Sequence, residues 1–262
     1  MPHATLKDVD LHYALAGDQS APVLVLSNSL GATMDMWQPQ LAELSTHFQV
    51  LRYDTRGHGL SSVPPGPYSI AQLGGDVIGL LDHLKLDRVH FCGLSMGGIT
   101  GMWLALNHPD RINKLVLSNT AAYIGPPENW TNRATAVQKN GMTAIADSVV
   151  ERWLTPGYAQ EHANQVQHLK AMLTSTPADG YAANCIAIRD NDLRKEVDGI
   201  RAPTLVISGN GDMPTPPSDG KFLHSQIKGS EYLELEAAHL SNQQQASKYT
   251  DALIKFLSAK PA

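Results

Sequence analysis

Val89-His90-Phe91-Cys92-Gly93-Leu94-Ser95-Met96-Gly97-Gly98 is the stretch on which the reading of this chain turns. An apolar run meets Gly-x-Ser-x-Gly, and a helix-compatible segment from Ile99 to Asn107 follows, stopped by Pro109. Strand, sharp turn and helix in that order read as a nucleophile elbow, whose strained turn lifts a serine oxygen above the sheet. Gly93 and Gly97 lack the β-carbons that would collide where strand and helix approach, and Gly98 adds room. By chance, Gly-x-Ser-x-Gly arises in roughly one chain in ten of this length. The weight therefore falls on what flanks it.

Upstream, Pro22 opens Val23-Leu24-Val25-Leu26, a continuous apolar run of the kind buried on both faces of a sheet. It ends in the small-residue loop Ser27-Asn28-Ser29-Leu30-Gly31, and a helical stretch follows around Met36 to Leu44. Gln49 to Asp54 reads as a strand running into Thr55-Arg56-Gly57-His58-Gly59-Leu60-Ser61. Ile70 to Leu84 has amphipathic helical spacing, while residues 5–17 alternate as an edge hairpin turning at Asp8 to Asp10. Downstream, Lys114 to Ser118 is another strand.

The rhythm then breaks. From Ala121 to Val197 no buried strand is evident, only helical patterns punctuated by Pro126, Pro127, Pro156 and Pro177. Strands resume at Thr204 to Ser208 and Glu231 to Leu235, and a closing helix is predicted from Asn242 to Leu257. Strands alternating with helices mean an α/β fold with a mostly parallel sheet flanked by helices. The expected domains are a core of residues 1–120 and 198–262 with an inserted helical lid of residues 121–197.

Bulk properties narrow the classes. The chain has 262 residues, 42% hydrophobic and 17% charged, with a net charge of −5 and no long basic run. Nucleic-acid binding has no electrostatic footprint, and no apolar stretch is long enough to span a bilayer. The start, Met1-Pro2-His3-Ala4-Thr5, lacks the basic and apolar regions of a secretion signal, so a cytoplasmic location is expected. Cys92 and Cys185 form no metal-spaced pair, and no metal is expected. Cys92, in the elbow strand, reads as a small buried apolar residue. Whether the chain forms a homo-oligomer is open at this level.

A serine hydroxyl needs a base to take its proton and a third group to orient that base. After such an elbow the partners follow in the order acid, then histidine. Asp212 lies in Gly209-Asn210-Gly211-Asp212, just past a strand end, and His239 lies in Ala237-Ala238-His239-Leu240, past the next. Ser95, Asp212 and His239 are thus the candidate catalytic triad. Asp54 is a rival acid at another strand end, but Arg56 is a ready ion-pair partner for it. His58, between two glycines, reads as part of a tight turn. The backbone N–H groups of Met96, after the nucleophile, and Leu30, in the loop after the first core strand, are the expected oxyanion hole.

With those residues in view, the chain resembles the α/β-hydrolases over its whole length, and within them the 3-oxoadipate enol-lactonases of the β-ketoadipate pathway. The resemblance rests on Ser27-Asn28-Ser29-Leu30-Gly31, Tyr53-Asp54-Thr55-Arg56-Gly57-His58-Gly59 and the elbow. It rests further on Cys185-Ile186-Ala187-Ile188-Arg189-Asp190, Gly209-x-x-Asp212-x-x-Thr215-Pro216 and Ala238-His239-Leu240-Ser241-Asn242. The elbow and the Arg-Gly-His-Gly turn mark only the superfamily; the loop, lid and tail motifs are narrower. Many relatives carry His-Gly where this chain has Asn28-Ser29, a departure that fits the lactonase subgroup.

The resemblance implies hydrolysis of a small anionic lactone without a cofactor. Ser95 would attack the carbonyl, His239 would take the proton and Asp212 would hold the imidazole. A lid cation would meet the substrate carboxylate: Arg133, or Arg189, for which Asp190 and Asp192 offer a local ion-pair explanation. Trp130 and Trp153 would form an apolar wall or pack in the core of the lid. A general carboxylesterase or C–C bond hydrolase on the same scaffold is the alternative, and a non-catalytic binding protein with this fold is a third reading. A dehalogenase of this fold would need a carboxylate where the elbow holds Ser95.

Overall fold

The computed structural model describes residues 2–259. The chain opens with a hairpin of β1 (His3–Thr5) and β2 (Asp10–Ala16), followed by β3 (Val23–Ser27), α1 (Gln38–Leu44) and β4 (Gln49–Tyr53). Then come α2 (Ile70–His83), β5 (Val89–Leu94), α3 (Met96–Asn107) and β6 (Ile112–Ser118). Five helices follow without a strand: α4 (Pro127–Asn140), α5 (Thr143–Trp153), α6 (Pro156–Glu161), α7 (Ala163–Thr174) and α8 (Ala178–Arg189). The chain closes with β7 (Thr204–Gly209), α9 (Pro217–Gln226), β8 (Glu231–Leu235), α10 (Ser241–Gln244) and α11 (Ala246–Ser258).

The eight strands form one sheet in the order β1-β2-β4-β3-β5-β6-β7-β8. β2 runs antiparallel to β4, and every pairing from β4 to β8 is parallel. The unbroken apolar runs sit where burial on both faces is available: β5 and β7 are buried at every position. β8, at the edge, keeps Glu231 and Glu234 exposed, which suits a strand with one open side.

Local chemistry sets the helices. Ser69 caps α2 through a capping box, its hydroxyl accepting the Gln72 N–H at 3.2 Å while Gln72 accepts the Ser69 N–H at 2.9 Å. The hairpin turns at Leu6 to Val9, earlier than Asp8 to Asp10: Leu6 N–H meets the Val9 carbonyl, and Asp10 already pairs with Thr5.

The closing helix is also broken, at Gln245. There the polar side chains tie loops together instead of lining a helix surface. Asn242 donates to the Met36 carbonyl, Gln244 accepts from Ala238 N–H, and Gln245 donates to the Glu236 carbonyl.

Arg56 does not pair with Asp54, contrary to the sequence expectation. Its guanidinium forks onto Asp76 with two 2.6 Å bonds and reaches Asp8 at 3.0 Å. Asp54 instead meets His12 Nδ1 at 2.8 Å and accepts the N–H groups of Met34 and Leu60. Twenty residues of separation hid the Asp76 partner, which α2 carries to the buried turn.

Strand order and register place the chemistry. The chain moves from β3 to one neighbour, β4, and later returns to β3's other side as β5, so β3 and β5 flank a topological switch point. Ser27 pairs with Gly93, Leu94 with Ser118, Ser118 with Ile207, and Gly209 with Leu235. Aligned ends bring the loops after β3, β5, β6, β7 and β8 to one edge. No helix of the described residues is long and apolar enough to cross a membrane.

Removing one partner of a buried ion pair leaves an uncompensated charge, at a cost of about 3–5 kcal/mol. Arg56 is 2% exposed. Asp76→Ala should lower unfolding free energy by about that amount in urea titrations, whereas Asp8→Ala, removing the exposed partner, should cost about 1 kcal/mol or less.

Candidate active site

Ser95 sits between β5 and α3 at φ 57° and ψ −115°, a conformation that costs a non-glycine residue on the order of 1–3 kcal/mol. Its neighbours hold it there. Ser95 N–H donates to the Ser118 carbonyl at 3.0 Å, and Thr120 Oγ1 donates to the Ser95 carbonyl at 2.7 Å. A β-carbon on Gly97 would overlap the Ser27 carbonyl, and one on Gly93 would overlap the Gly97 carbonyl. The elbow glycines are therefore required by backbone contact, not only by turn geometry.

The Asp212 carboxylate lies 3.0 Å from His239 Nδ1 through either oxygen. It also accepts Thr215 N–H at 3.0 Å, Thr215 Oγ1–H at 2.9 Å and Asn119 Nδ2–H at 2.9 Å. Burial works to raise the Asp212 pKa, but His239, Thr215 and Asn119 outweigh it and hold the carboxyl below its usual range. Asn119, at φ 45°, also donates to the Ala238 carbonyl and accepts from Ser118 and Ser241 hydroxyls. Asn119 and Thr215 were not singled out from sequence as partners of the acid. Thr215 lies three residues past Asp212, the spacing of a side chain closing its own loop; Asn119 lies too far away in sequence to be seen.

Ser95 and His239 share a cavity of about 290 Å³ with Ser29, Leu30, Trp130, Arg133, Arg152, Trp153 and Tyr181. The Ser95 hydroxyl makes no hydrogen bond among the described residues, and neither do the N–H groups of Leu30 and Met96. Asn28 shapes the loop that carries Leu30: it donates to the Tyr53 carbonyl, accepts from Trp37 Nε1–H, and its own carbonyl accepts Gly97 N–H at 3.0 Å. Leu240 N–H donates to the Trp153 carbonyl, so the loop of His239 is tied directly to the helical insertion.

Of the residues expected to meet substrate from the lid, Trp130, Arg133 and Trp153 line the cavity, with the Arg133 guanidinium 4.8 Å from the Trp130 ring centroid. Arg189 does not. At the end of α8 it forks onto the adjacent carboxylate of Asp190, with bonds of 2.7 and 2.9 Å, and lies outside the cavity. Arg152, unnoticed in the sequence, takes the second cationic place; its Nε donates to the Ser148 carbonyl one helical turn back. Among the described residues neither Arg133 nor Arg152 has an ion-pair partner, and no group of three or more His, Cys, Asp and Glu side chains could hold a metal ion.

An elbow serine, an acid-held histidine and strand-end loops on a mixed α/β sheet define a class, and comparison with known proteins agrees. Residues 22–244 match the family model described as alpha/beta hydrolase fold, and the chain belongs to that family. It is 45% identical to 3-oxoadipate enol-lactonase 2 of Acinetobacter baylyi, over 95% of this chain and 93% of that one. It is 37% identical to 3-oxoadipate enol-lactonase 1 of the same organism, with the same coverage. The crystal structure of the enol-lactonase from Burkholderia xenovorans superposes with a TM-score of 0.97 at 48% identity, covering 98% of this chain and all of that chain.

A carboxylate whose pKa is lowered on folding contributes stability above its unfolded pKa, near 4, and loses it as pH falls through the folded value. Any stability advantage of wild type over Asp212→Asn at pH 7 should therefore shrink steadily below about pH 4. Denaturant titrations across that range measure it.

Proposed function

We propose that this protein hydrolyses 3-oxoadipate enol-lactone to 3-oxoadipate in aromatic catabolism, using Ser95, His239 and Asp212 as a catalytic triad. One observation carries the choice of substrate. Two arginines, Arg133 and Arg152, line the same cavity as the serine, and among the described residues neither is in an ion pair. Arg152's pKa is lowered first by burial and then by Arg133. A bound carboxylate relieves both effects, through charge-assisted bonds of the kind a guanidinium fork makes best. The lactonase relatives supply the scaffold on which such an anionic ester fits.

In this reading Ser95 Oγ attacks the lactone carbonyl carbon and passes its proton to His239, whose imidazolium Asp212 stabilises. The N–H groups of Leu30 and Met96 take the oxyanion. Collapse breaks the ring C–O bond, and the departing enol oxygen receives the proton from His239. Tautomerisation to the ketone removes the leaving group as a competing nucleophile. Water, deprotonated by His239, then attacks the acyl-enzyme, and Ser95 leaves with its proton restored. The helices of residues 121–197 act as the lid, closing over the lactone with Trp130 and Trp153 as its apolar wall. Cys92 and Cys185, both buried free thiols, suit a reducing cytoplasm.

The direct test is loss of ultraviolet absorbance of the lactone. Wild type should hydrolyse it rapidly, and Ser95→Ala should lose at least about 10⁴-fold in kcat. Hydrolysis confined to neutral aryl esters would keep the triad and discard this substrate. Arg152→Met should raise KM for the lactone about tenfold or more, the worth of one hydrogen bond to a charged group, while leaving KM for a neutral aryl ester within about twofold.

A further inference from the structure

His58 stands outside the triad, wholly buried in the turn between β4 and α2. Its Nε2 accepts the Gly31 N–H at 2.9 Å, and its Nδ1 faces the Arg56 carbonyl at 3.3 Å. An acceptor at Nε2 requires the lone pair there, so the ring proton resides on Nδ1 and points to that carbonyl. Asn184 Nδ2 also lies 3.5 Å from Nδ1, but its two hydrogens go to the carbonyls of Arg56 and Gly180, each at 2.9 Å. The two donors do not compete. The imidazole is therefore neutral and has one defined tautomer.

What His58 holds is the turn that carries the oxyanion loop. Ala32 N–H closes onto the Ser29 carbonyl at 3.1 Å, with Gly31 at φ 79°, the positive φ that such a turn demands of its third residue. The Gly31 N–H belongs to the peptide that follows Leu30, so a bond there restrains the backbone of the residue expected to donate to the oxyanion. Leu173 and Tyr181 press on Gly31 from the insertion, leaving no room for a β-carbon, and Thr176 Oγ1 reaches the Gly31 carbonyl at 3.4 Å. A purely structural buried histidine could satisfy its ring against its own turn. This one spends its acceptor on a loop 27 residues away.

We propose that His58 is a positioning residue for the oxyanion hole: by accepting the Gly31 N–H it orients the Leu30–Gly31 turn so that the Leu30 N–H is free to meet the carbonyl oxygen of the ester. The proposal rests on the oxyanion reading above. Neutrality is part of it, because a proton on Nε2 would set donor against donor at Gly31. Burial holds the His58 pKa down, to about 4, against the Arg56 carbonyl and the Asp54 carboxylate, which favour the charged form.

The test compares His58→Phe, which fills the space without an acceptor, with His58→Gln, whose amide oxygen reaches the place of Nε2. The substrate is a neutral aryl ester, so that lactone specificity plays no part. A misplaced oxyanion donor costs about 10²-fold or more in kcat. The expected results are a loss of that size in His58→Phe with KM within about threefold, an equal loss of affinity for an alkyl trifluoromethyl ketone, and recovery to within about tenfold of wild type in His58→Gln. A folded His58→Phe with near wild-type kcat, or a loss appearing only in KM, overturns the proposal. Should His58→Phe not fold, nitrogen NMR of the wild-type imidazole decides: Nδ1 protonated and Nε2 bare at pH 7 supports the role, and a protonated Nε2 overturns it. A wild type that binds the ketone no better than the ester sinks the oxyanion reading itself. Tight wild-type binding that His58→Phe leaves intact removes only His58.

Discussion

Gly97 N–H donates to the Asn28 carbonyl, and that single bond between the first turn of α3 and the loop after β3 constrains the whole site. It requires two backbones to meet so closely that no β-carbon fits at Gly97, with Gly93 just below under the same restriction. The elbow that carries Ser95 and the loop that carries Leu30 are then parts of one contact. The strain in Ser95 is offset because its N–H and its carbonyl are both bonded to the end of β6 and the residues after it.

From that contact, rigidity spreads along the sheet edge through polar groups with defined partners. Asn28 is clamped by Tyr53 and Trp37, Asp54 ties the β3 loop to the β4 loop, and Asn119 ties β6 to Asp212 and to the loop of His239. Each is a buried group whose hydrogen-bonding capacity would be costly to leave unmet. They form a frame around a cavity whose other wall, on the insertion side, carries two cations. Core and insertion thus contribute different walls: the core carries Ser95 and His239, and the insertion carries Arg133 and Arg152.

The division also shows in where the two parts touch. Leu240 N–H bonds to the Trp153 carbonyl, and Gly57 meets Gly180 without room for a side chain on either. The turn holding His58 is thereby packed directly under α8, next to Tyr181 on the cavity wall. The cavity wall on the insertion and the loop of Leu30 and Gly31 are thus in direct contact.

Most of the fold was legible in the sequence, because strands buried on both faces must be apolar throughout and their order along the chain is the order of the elements. That Ser95, Asp212 and His239 come to the same edge was legible for a related reason: each follows a recognisable strand, and strand ends in such sheets converge. Arg189 misled because sequence proximity to a motif says nothing about which way a helix end faces; Arg152 was invisible because an arginine on an amphipathic helix looks the same whether it meets solvent or a cavity. Asp76, rather than Asp54, as the partner of Arg56, and Asn119 as a support for Asp212, depend on groups 20 and 93 residues apart meeting in space. The chain's local patterns thus determined the elements, the elbow and the class of chemistry. Only the tertiary structure decided which buried charges pair, which cations line the cavity with the serine, and which histidine accepts the Gly31 N–H, because those follow from packing across long sequence separations that no local pattern encodes.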